Sequence, residues 1–246
     1  MSNSSYGRQG LYVEQTQSFA TASQSSLIDR LSFIRNTYFH LACAIALFAT
    51  IEYVMLNMFP EQIAKFAGSI RGLGWLLVLG GFMVVSWIAN WWAHSSASRP
   101  MQYAGLLLYT VAEAVMFLPL LFIANKYAPG TIGSAAVVTG IIFGGLTLTV
   151  FVTKADFSFL RMGLTLGGLA AFAFIIVSMV MGLNILGALF ATLMIVLASG
   201  YILYHTSQVV HHYRPEQYVA ASLTLFASVA LLFWYVVQLF MSLQRD

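Results

Sequence analysis

Seven long apolar stretches follow one another along this chain, separated by short polar breaks. Each is close to the roughly 20 residues that a helix, rising about 1.5 Å per residue, needs to cross a hydrocarbon core of about 30 Å. We therefore predict seven membrane-spanning helices, at residues 37–59, 73–93, 101–124, 131–153, 159–181, 185–207 and 218–243.

These segments are predicted to be helices and not strands because each is apolar without interruption. Strands of a membrane barrel are only about 10 residues long and alternate polar with apolar positions, whereas these runs are apolar throughout. Breaks at Pro100 and at Pro129-Gly130 are typical of helix ends. Residues 182–184 alone separate the fifth segment from the sixth, which predicts a tight antiparallel hairpin. The fold class is an all-α integral membrane protein.

Small residues recur on the fourth and fifth helices and predict close helix contact. They are Gly140, Gly144, Gly145, Gly163, Gly167 and Gly168.

The composition excludes a water-soluble domain. Hydrophobic residues make up 60% of the 246 residues and charged residues 8%, with a mean hydropathy of +0.83. Residues 1–35 are rich in Ser, Gln and Thr and predict a disordered polar cytoplasmic tail, whereas 36–246 form the transmembrane domain. The apolar part begins only after Arg35, so we expect no signal peptide.

The distribution of Lys and Arg predicts the orientation. With the N-terminus inside, seven basic residues are cytoplasmic and four are outside, which favours a cytoplasmic N-terminus. The inner set is Arg8, Arg30, Arg35, Arg99, Lys154, Arg161 and Arg214, and the outer set is Lys65, Arg71, Lys126 and Arg245. The C-terminus lies outside if the seventh segment crosses, and inside if it is re-entrant. No dense basic patch with interleaved aromatics occurs, so nucleic acid is not an expected partner.

Two acids lie within the predicted helices, Glu52 in the first and Glu113 in the third. A charged side chain at the centre of a membrane helix costs roughly 2.5 to 3.5 kcal/mol, so such residues face a cavity, pair or stay protonated. Glu52 is two turns from Pro60, where either a functional role or plain contact with interfacial water explains it. For Glu113, deeper in the membrane, we favour a role in an ion pathway. Arg99 is a candidate counter-charge, although anchoring by positive residues explains it equally well.

The sequence gives no support for an enzyme, a cofactor or a metal site. Ser199 and His205 are six residues apart and on opposite sides of one helix, so they form no dyad there. His211 and His212 are adjacent and do not point together, and no third metal ligand is evident. The single cysteine, Cys43, excludes an intrachain disulfide.

Four segments together resemble the Bax inhibitor-1 (transmembrane Bax-inhibitor-motif) family, in particular its bacterial YccA-like members. They are EAVMFLPLL from Glu113, GGLTLTVFVTKADFSFLRMGL from Gly144, GYILYHTSQVVHHY from Gly200 and YVAASLTLFASVALLF from Tyr218. The resemblance implies seven helices arranged around the last one, in a bacterial inner membrane. It also implies either a cation leak, chiefly of calcium, or a role in stress and cell-death regulation. In the family, two aspartates on the last two helices share a proton and gate the pathway with pH.

The chain departs from the family at both aspartate positions, which His205 and Ser228 occupy. An imidazole and a hydroxyl cannot hold calcium as two carboxylates do. Because an imidazole titrates near about pH 6.5, we expect His205 to act as a pH sensor on a calcium or proton leak. The alternative is a non-conducting membrane protein that modulates a protein partner, such as a membrane-bound protease. Ser228, Glu113 and Glu52 complete the expected ion pathway.

Overall fold

The structure is a computed structural model that describes residue 21 and residues 26–70, 73–95, 98–181 and 187–244. Over these residues the chain forms eight α-helices and one 3-10 turn, Pro215–Gln217. The α-helices are α1 (Leu27–Met58), α2 (Pro60–Ser69), α3 (Leu73–Ala93), α4 (Arg99–Tyr127), α5 (Thr131–Thr153), α6 (Leu160–Met181), α7 (Ala188–His211) and α8 (Tyr218–Leu243).

Seven of these helices, all except α2, are long and apolar enough to span a membrane, which confirms the predicted all-α fold. The predicted bounds of α3, α5 and α8 agree with the structure residue by residue. The last helix is continuous to Leu243, and the Gln244 side chain reaches the Thr131 hydroxyl at the start of α5, 3.2 Å away. It therefore runs unbroken from one end of the bundle to the other, which favours a spanning segment over a re-entrant one.

Two features near the N-terminus differ from the prediction. Helix α1 begins at Leu27, within the expected tail, because the Ser26 hydroxyl accepts a hydrogen bond from the Asp29 backbone N–H and caps the helix. Helix α2 was not predicted, although Pro60 at its start, followed by Glu61, is a typical helix beginning. Most of the tail predicted at 1–35, and the turn at 182–184, lie outside the described residues.

The helices alternate in direction, so the bundle has two ends. We call one the Arg99 end; it holds the starts of α4 and α8, where Arg99 Nη1 donates to the Tyr218 hydroxyl at 2.9 Å. We call the other the Gly130 end, after the glycine that precedes α5. Gly130 has φ +83°, a conformation that a residue with a side chain rarely adopts.

Helix α8 is the central helix of the bundle. It packs against α7, α1, α5, α4 and α3, and 14 of its first 20 residues are buried. Residues such as Val219, Leu225, Leu232 and Val237 are completely enclosed. The arrangement implied by the family resemblance, with the last helix at the centre, is therefore present.

The glycines divide into two groups. Gly105 lets α4 approach α3 so closely that a Cβ there would lie 2.5 Å from the Ala89 carbonyl oxygen. On α6, a Cβ at Gly167 or Gly168 would likewise collide with side chains of α7, as close packing predicts. By contrast, the glycines of α5 face open space, so the prediction of close contact within the bundle is wrong for Gly140, Gly144 and Gly145, and also for Gly163 on α6.

Candidate functional site

The site is built around a contact between the last two helices. His205 Nδ1 lies 2.7 Å from Ser228 Oγ, joining α7 to α8 near the middle of the bundle. The two residues that the resemblance aligns with an aspartate pair therefore face each other. The two positions that meet are the ones that the resemblance implies. The contact between them is a hydrogen bond between an imidazole and a hydroxyl, where the resemblance implies two carboxylates.

The hydrogen bonds of Ser228 are compatible with a tautomer of the imidazole that is protonated at Nδ1. Ser228 Oγ donates its proton to the Thr224 carbonyl oxygen, one turn earlier, at 3.0 Å. A hydroxyl has only one proton, so when Ser228 Oγ donates to the Thr224 carbonyl oxygen, His205 Nδ1 carries a proton and donates it to Ser228 Oγ; in the other tautomer Ser228 Oγ donates to Nδ1. In the neutral ring protonated at Nδ1, Nε2 is the acceptor, and it is the atom that can take up a proton.

A large internal space, which we call the membrane cavity, lies on one side of this contact. It has a volume of about 700 Å³ and is bounded by α3, α4, α6, α7 and α8. Along α8 it extends from Ala227 to Gln238, about 17 Å at 1.5 Å per residue, and along α4 from Tyr109 to Ile123, about 21 Å. Most of its wall is apolar, and the polar groups near Ser228 are those of Tyr109, Glu113, Tyr201 and His205.

Among the described residues, Glu113 is the one acidic residue on the wall of the membrane cavity. Only 8% of its surface is exposed, and its Oε1 accepts a hydrogen bond of 2.9 Å from the Tyr109 hydroxyl. Tyr109 and Glu113 are four residues apart and so share one face of α4. Tyr109 was not predicted, although this spacing was a signal for it.

A second, smaller space lies on the other side of the contact, at the Arg99 end. This space, which we call the vestibule, has a volume of about 290 Å³ and is lined by polar side chains that include Gln208, His212 and Thr224. His205 borders both the vestibule and the membrane cavity. The contact between His205 and Ser228 therefore lies where the two spaces adjoin.

The vestibule is flanked by the loop between α5 and α6. The Phe157 backbone N–H donates to Ser207 Oγ at 2.9 Å, and Gln208 Nε2 donates to Ser158 Oγ at 3.0 Å. These bonds fasten the loop to the end of α7. They were not predicted from the sequence.

Asp156 organises the same loop. Its Oδ1 accepts hydrogen bonds from the Ser158 hydroxyl at 2.6 Å and the Ser158 backbone N–H at 2.9 Å. These bonds stabilise the carboxylate and hold the pKa of Asp156 below its usual range. His212 Nε2 lies 3.9 Å from Asp156 Oδ2, at the rim of the vestibule.

Glu52 does not belong to the site. It is 4% exposed, does not line either space, and neither of its carboxyl oxygens has a hydrogen-bond partner among the described residues. The expectation that it joins the pathway of His205, Ser228 and Glu113 is therefore not supported by the geometry. Interfacial water does not account for it either, because the residue is buried.

Arg99 is likewise remote from the two buried acids. Its guanidinium binds the Tyr218 hydroxyl and lies over the Tyr218 ring, 5.5 Å from the centroid. The ring of His40 packs against the same tyrosine. Within the described part of the chain, no three His, Cys, Asp or Glu side chains come together as a metal site requires.

Comparison with known proteins identifies the family. The family described as inhibitor of apoptosis-promoting Bax1 matches residues 30–245, which is most of the chain. The chain belongs to this family. The resemblance inferred from the sequence motifs is thus confirmed.

Relatives occur in several kingdoms. A protein named Bax inhibitor 1 from Schizosaccharomyces pombe is 26% identical over 241 residues, 95% of this chain and 85% of its own length. Protein LIFEGUARD 4 of Arabidopsis thaliana is 28% identical over 218 residues, 86% of this chain and 85% of its own. An uncharacterized membrane protein of Vibrio cholerae is 22% identical over 213 residues, 87% of this chain and 90% of its own. No solved structure matches the chain.

Proposed function

We propose that this Bax inhibitor-1-like protein is a proton leak pathway in a bacterial inner membrane, with its N-terminus in the cytoplasm. The observation that carries the proposal is the position of His205, which borders both the vestibule and the membrane cavity and is bound to Ser228. A proton taken up at Nε2 from the vestibule changes the charge of the group that closes the cavity. Opening of the pathway would then depend on pH.

The groups along the pathway favour protons over calcium. Calcium takes six to eight oxygen ligands. The His205 and Ser228 contact offers one hydroxyl, and Glu113 is a single carboxylate that already binds Tyr109. An imidazole and a carboxyl group are, however, the usual carriers of protons inside membranes. Calcium is therefore the second candidate ion.

The orientation rests on the basic residues at the two ends. The Arg99 end carries Arg30, Arg35, Lys154, Arg161 and Arg214 in addition to Arg99. The positive-inside rule would place this end, and with it the vestibule, in the cytoplasm. The leak would then respond to cytoplasmic pH.

Flux measurements in proteoliposomes test the proposal. Proton entry is followed with a trapped pH dye between pH 5 and 8 for the natural chain, for His205→Gln and for His94→Gln. His94 is a matched control because its ring binds the Asn90 carbonyl at a helix end, away from both spaces. We expect His205→Gln to lose the pH dependence and His94→Gln to keep it. An unchanged pH dependence in His205→Gln contradicts the proposal.

A calcium dye distinguishes the two ions. We expect little calcium flux through the natural chain and a larger flux through the His205→Asp, Ser228→Asp double variant, which restores two carboxylates. Calcium flux through the natural chain that exceeds its proton flux would contradict the preference for protons.

A second candidate function is supported by a different surface. Gly133, Gly140 and Gly144 lie on α5 with open space where a side chain would be, and they are exposed on the outside of the bundle. Small residues at such spacing allow a second helix to approach closely in lipid. A membrane protein partner, such as a membrane-bound protease, would bind there. Cross-linking from Gly140→Cys in cells, with Gly80→Cys on α3 as control, tests this alternative.

A further inference from the structure

The membrane cavity has the dimensions and chemistry of a lipid-binding site. We propose that it holds one acyl chain of a phospholipid from the leaflet at the Gly130 end, entering between α3 and α6. This inference does not rest on the proposed function, because it concerns what fills the cavity and not what crosses it.

The length of the cavity matches one leaflet. The hydrocarbon core is about 30 Å thick, so each leaflet contributes about 15 Å. Ser228 lies ten residues into α8, about 15 Å from its start, and the cavity continues from there for about another 15 Å toward Gln238. The lining on α4 runs somewhat further, about 21 Å from Tyr109 to Ile123, so the cavity reaches from the middle of the bundle to the Gly130 end and is long enough for one acyl chain.

The volume and the walls fit an uncharged chain. A space of about 700 Å³ is within the 300 to 1,000 Å³ typical of ligand pockets, whose walls are mostly apolar. Beyond Glu113, the side chains that line this one are chiefly aliphatic and aromatic, among them Leu79, Phe172, Ile175 and Leu231.

The described residues of the cavity provide no cationic partner for the carboxylate of a free fatty acid. None of the described residues that line the cavity is Lys or Arg, and Glu113 would repel a carboxylate. A phospholipid avoids this cost because its headgroup stays at the membrane surface while one chain enters. Trp75 and Gln238, near the Gly130 end of the cavity, are the residue types that suit the headgroup level.

The entrance is the gap between α3 and α6. Both helices line the cavity and they contact each other only sparsely. Their outer surfaces at this level are apolar and exposed, as at Leu77 and Val180. Lipid chains are therefore the molecules that lie next to the opening.

Quenching of Trp234 fluorescence tests the proposal. Trp234 lines the cavity about 9 Å beyond Ser228, at 1.5 Å per residue. A protein with Trp234 as its only tryptophan is reconstituted in phospholipid with bromines in the middle of one acyl chain. We expect strong quenching relative to unbrominated lipid. Absence of quenching, or quenching by brominated free fatty acid only, would overturn the proposal.

Matched variants on α6 show whether the quenching lipid is inside. Ala171 lines the cavity, whereas Ala173 faces outward. We expect Ala171→Phe to abolish the quenching of Trp234 and Ala173→Phe to leave it unchanged. Equal quenching in both variants would place the bromines outside and overturn the proposal.

Two further measurements keep the result interpretable. Ala171→Leu fills less of the cavity and should give an intermediate loss, so the conclusion does not depend on one bulky substitution. A protein with only Trp87, which is 71% exposed on α3, should be quenched equally in all α6 variants if they fold and insert. A loss of quenching at Trp234 that appears equally at Trp87 counts against the proposal.

Discussion

The two sides of α8 differ in the surroundings of the buried acid that each contains. On one side, Glu113 faces the membrane cavity with Tyr109 as its donor and lies near the contact between His205 and Ser228. On the other side, toward α1, Glu52 is buried without a partner among the described residues, one turn from Phe48. Phe48 contacts Phe117, Phe226 and Phe233 in a closely packed aromatic cluster.

This difference shows that burial of an acid in a membrane helix does not define a site. The proposed function also requires that the acid adjoin a cavity and have a partner that orients it. Glu113 has both, and Glu52 has neither. Protein stability, proton flux and amide hydrogen exchange in the loop at Asp156 can each be measured to test this account.

The largest effect on the free energy of unfolding is expected on the side of α8 that packs against α1. Phe226 is 2% exposed and contacts Phe48 and Tyr109, so Phe226→Ala should destabilise the fold by about 3 to 5 kcal/mol, the usual cost of removing a buried ring. Phe190→Ala, at the cavity wall, should cost clearly less because its site is already partly empty. Unfolding in mixed micelles measures both. Equal losses would show that the two sides are packed alike.

A smaller effect, an increase in stability, is expected from replacing Glu52. Because an unsatisfied buried polar group costs about 1 to 3 kcal/mol, Glu52→Met should stabilise the protein by that order. Glu113→Met removes an acceptor that Tyr109 uses and should not stabilise. The same unfolding assay applies, and a destabilised Glu52→Met would mean that the carboxyl group has a partner after all.

Proton flux should also distinguish Glu113 from Glu52. Here the substitution of Glu113 should have the larger effect. We expect Glu113→Gln to lower the flux about tenfold, equivalent to roughly 1.4 kcal/mol in barrier height, and Glu52→Gln to leave it unchanged. The proteoliposome assay with a trapped pH dye measures both. The contrast fails if Glu52→Gln lowers the flux as much as Glu113→Gln.

The smallest effect concerns the loop at the vestibule. Because the pKa of Asp156 is lowered in the fold, its contribution to stability is present above its ordinary pKa of about 3.9 and is lost as the pH falls through the lowered value. Hydrogen exchange of the Phe157 amide should therefore be unaffected by Asp156 titration between pH 7 and 5 and should rise modestly in Asp156→Asn. Exchange in Asp156→Asn that matches the natural chain would exclude this role.

The sequence predicts the spanning helices well because their signal is local. Continuous apolar runs bounded by Pro129-Gly130 or by the polar segment before Tyr218 define α5 and α8 without reference to the rest of the fold. Helix α2 also had a local signal in Pro60 and Glu61. It was missed because it is too short to span a membrane.

The site could be predicted only in part, because it depends on which helix faces meet. The pairing of His205 with Ser228 follows from the family resemblance, since nothing in the spacing of two separate helices requires it. The contrast between Glu113 and Glu52 depends on where the bundle leaves space, and no local pattern encodes that. The bonds from Ser207 to the loop at Asp156 join residues about 50 positions apart and are equally invisible in sequence.

Cysteine accessibility along one face of α8 tests most directly whether the His205 and Ser228 contact separates vestibule from cavity. Thr224 lines the vestibule and Leu231 lines the cavity, with Ser228 between them. In a Cys43→Ser background, a charged thiol reagent applied from the Arg99 end should modify Thr224→Cys readily. It should modify Leu231→Cys only when His205→Ala removes the contact. Equal modification of both cysteines with His205 in place would contradict the account.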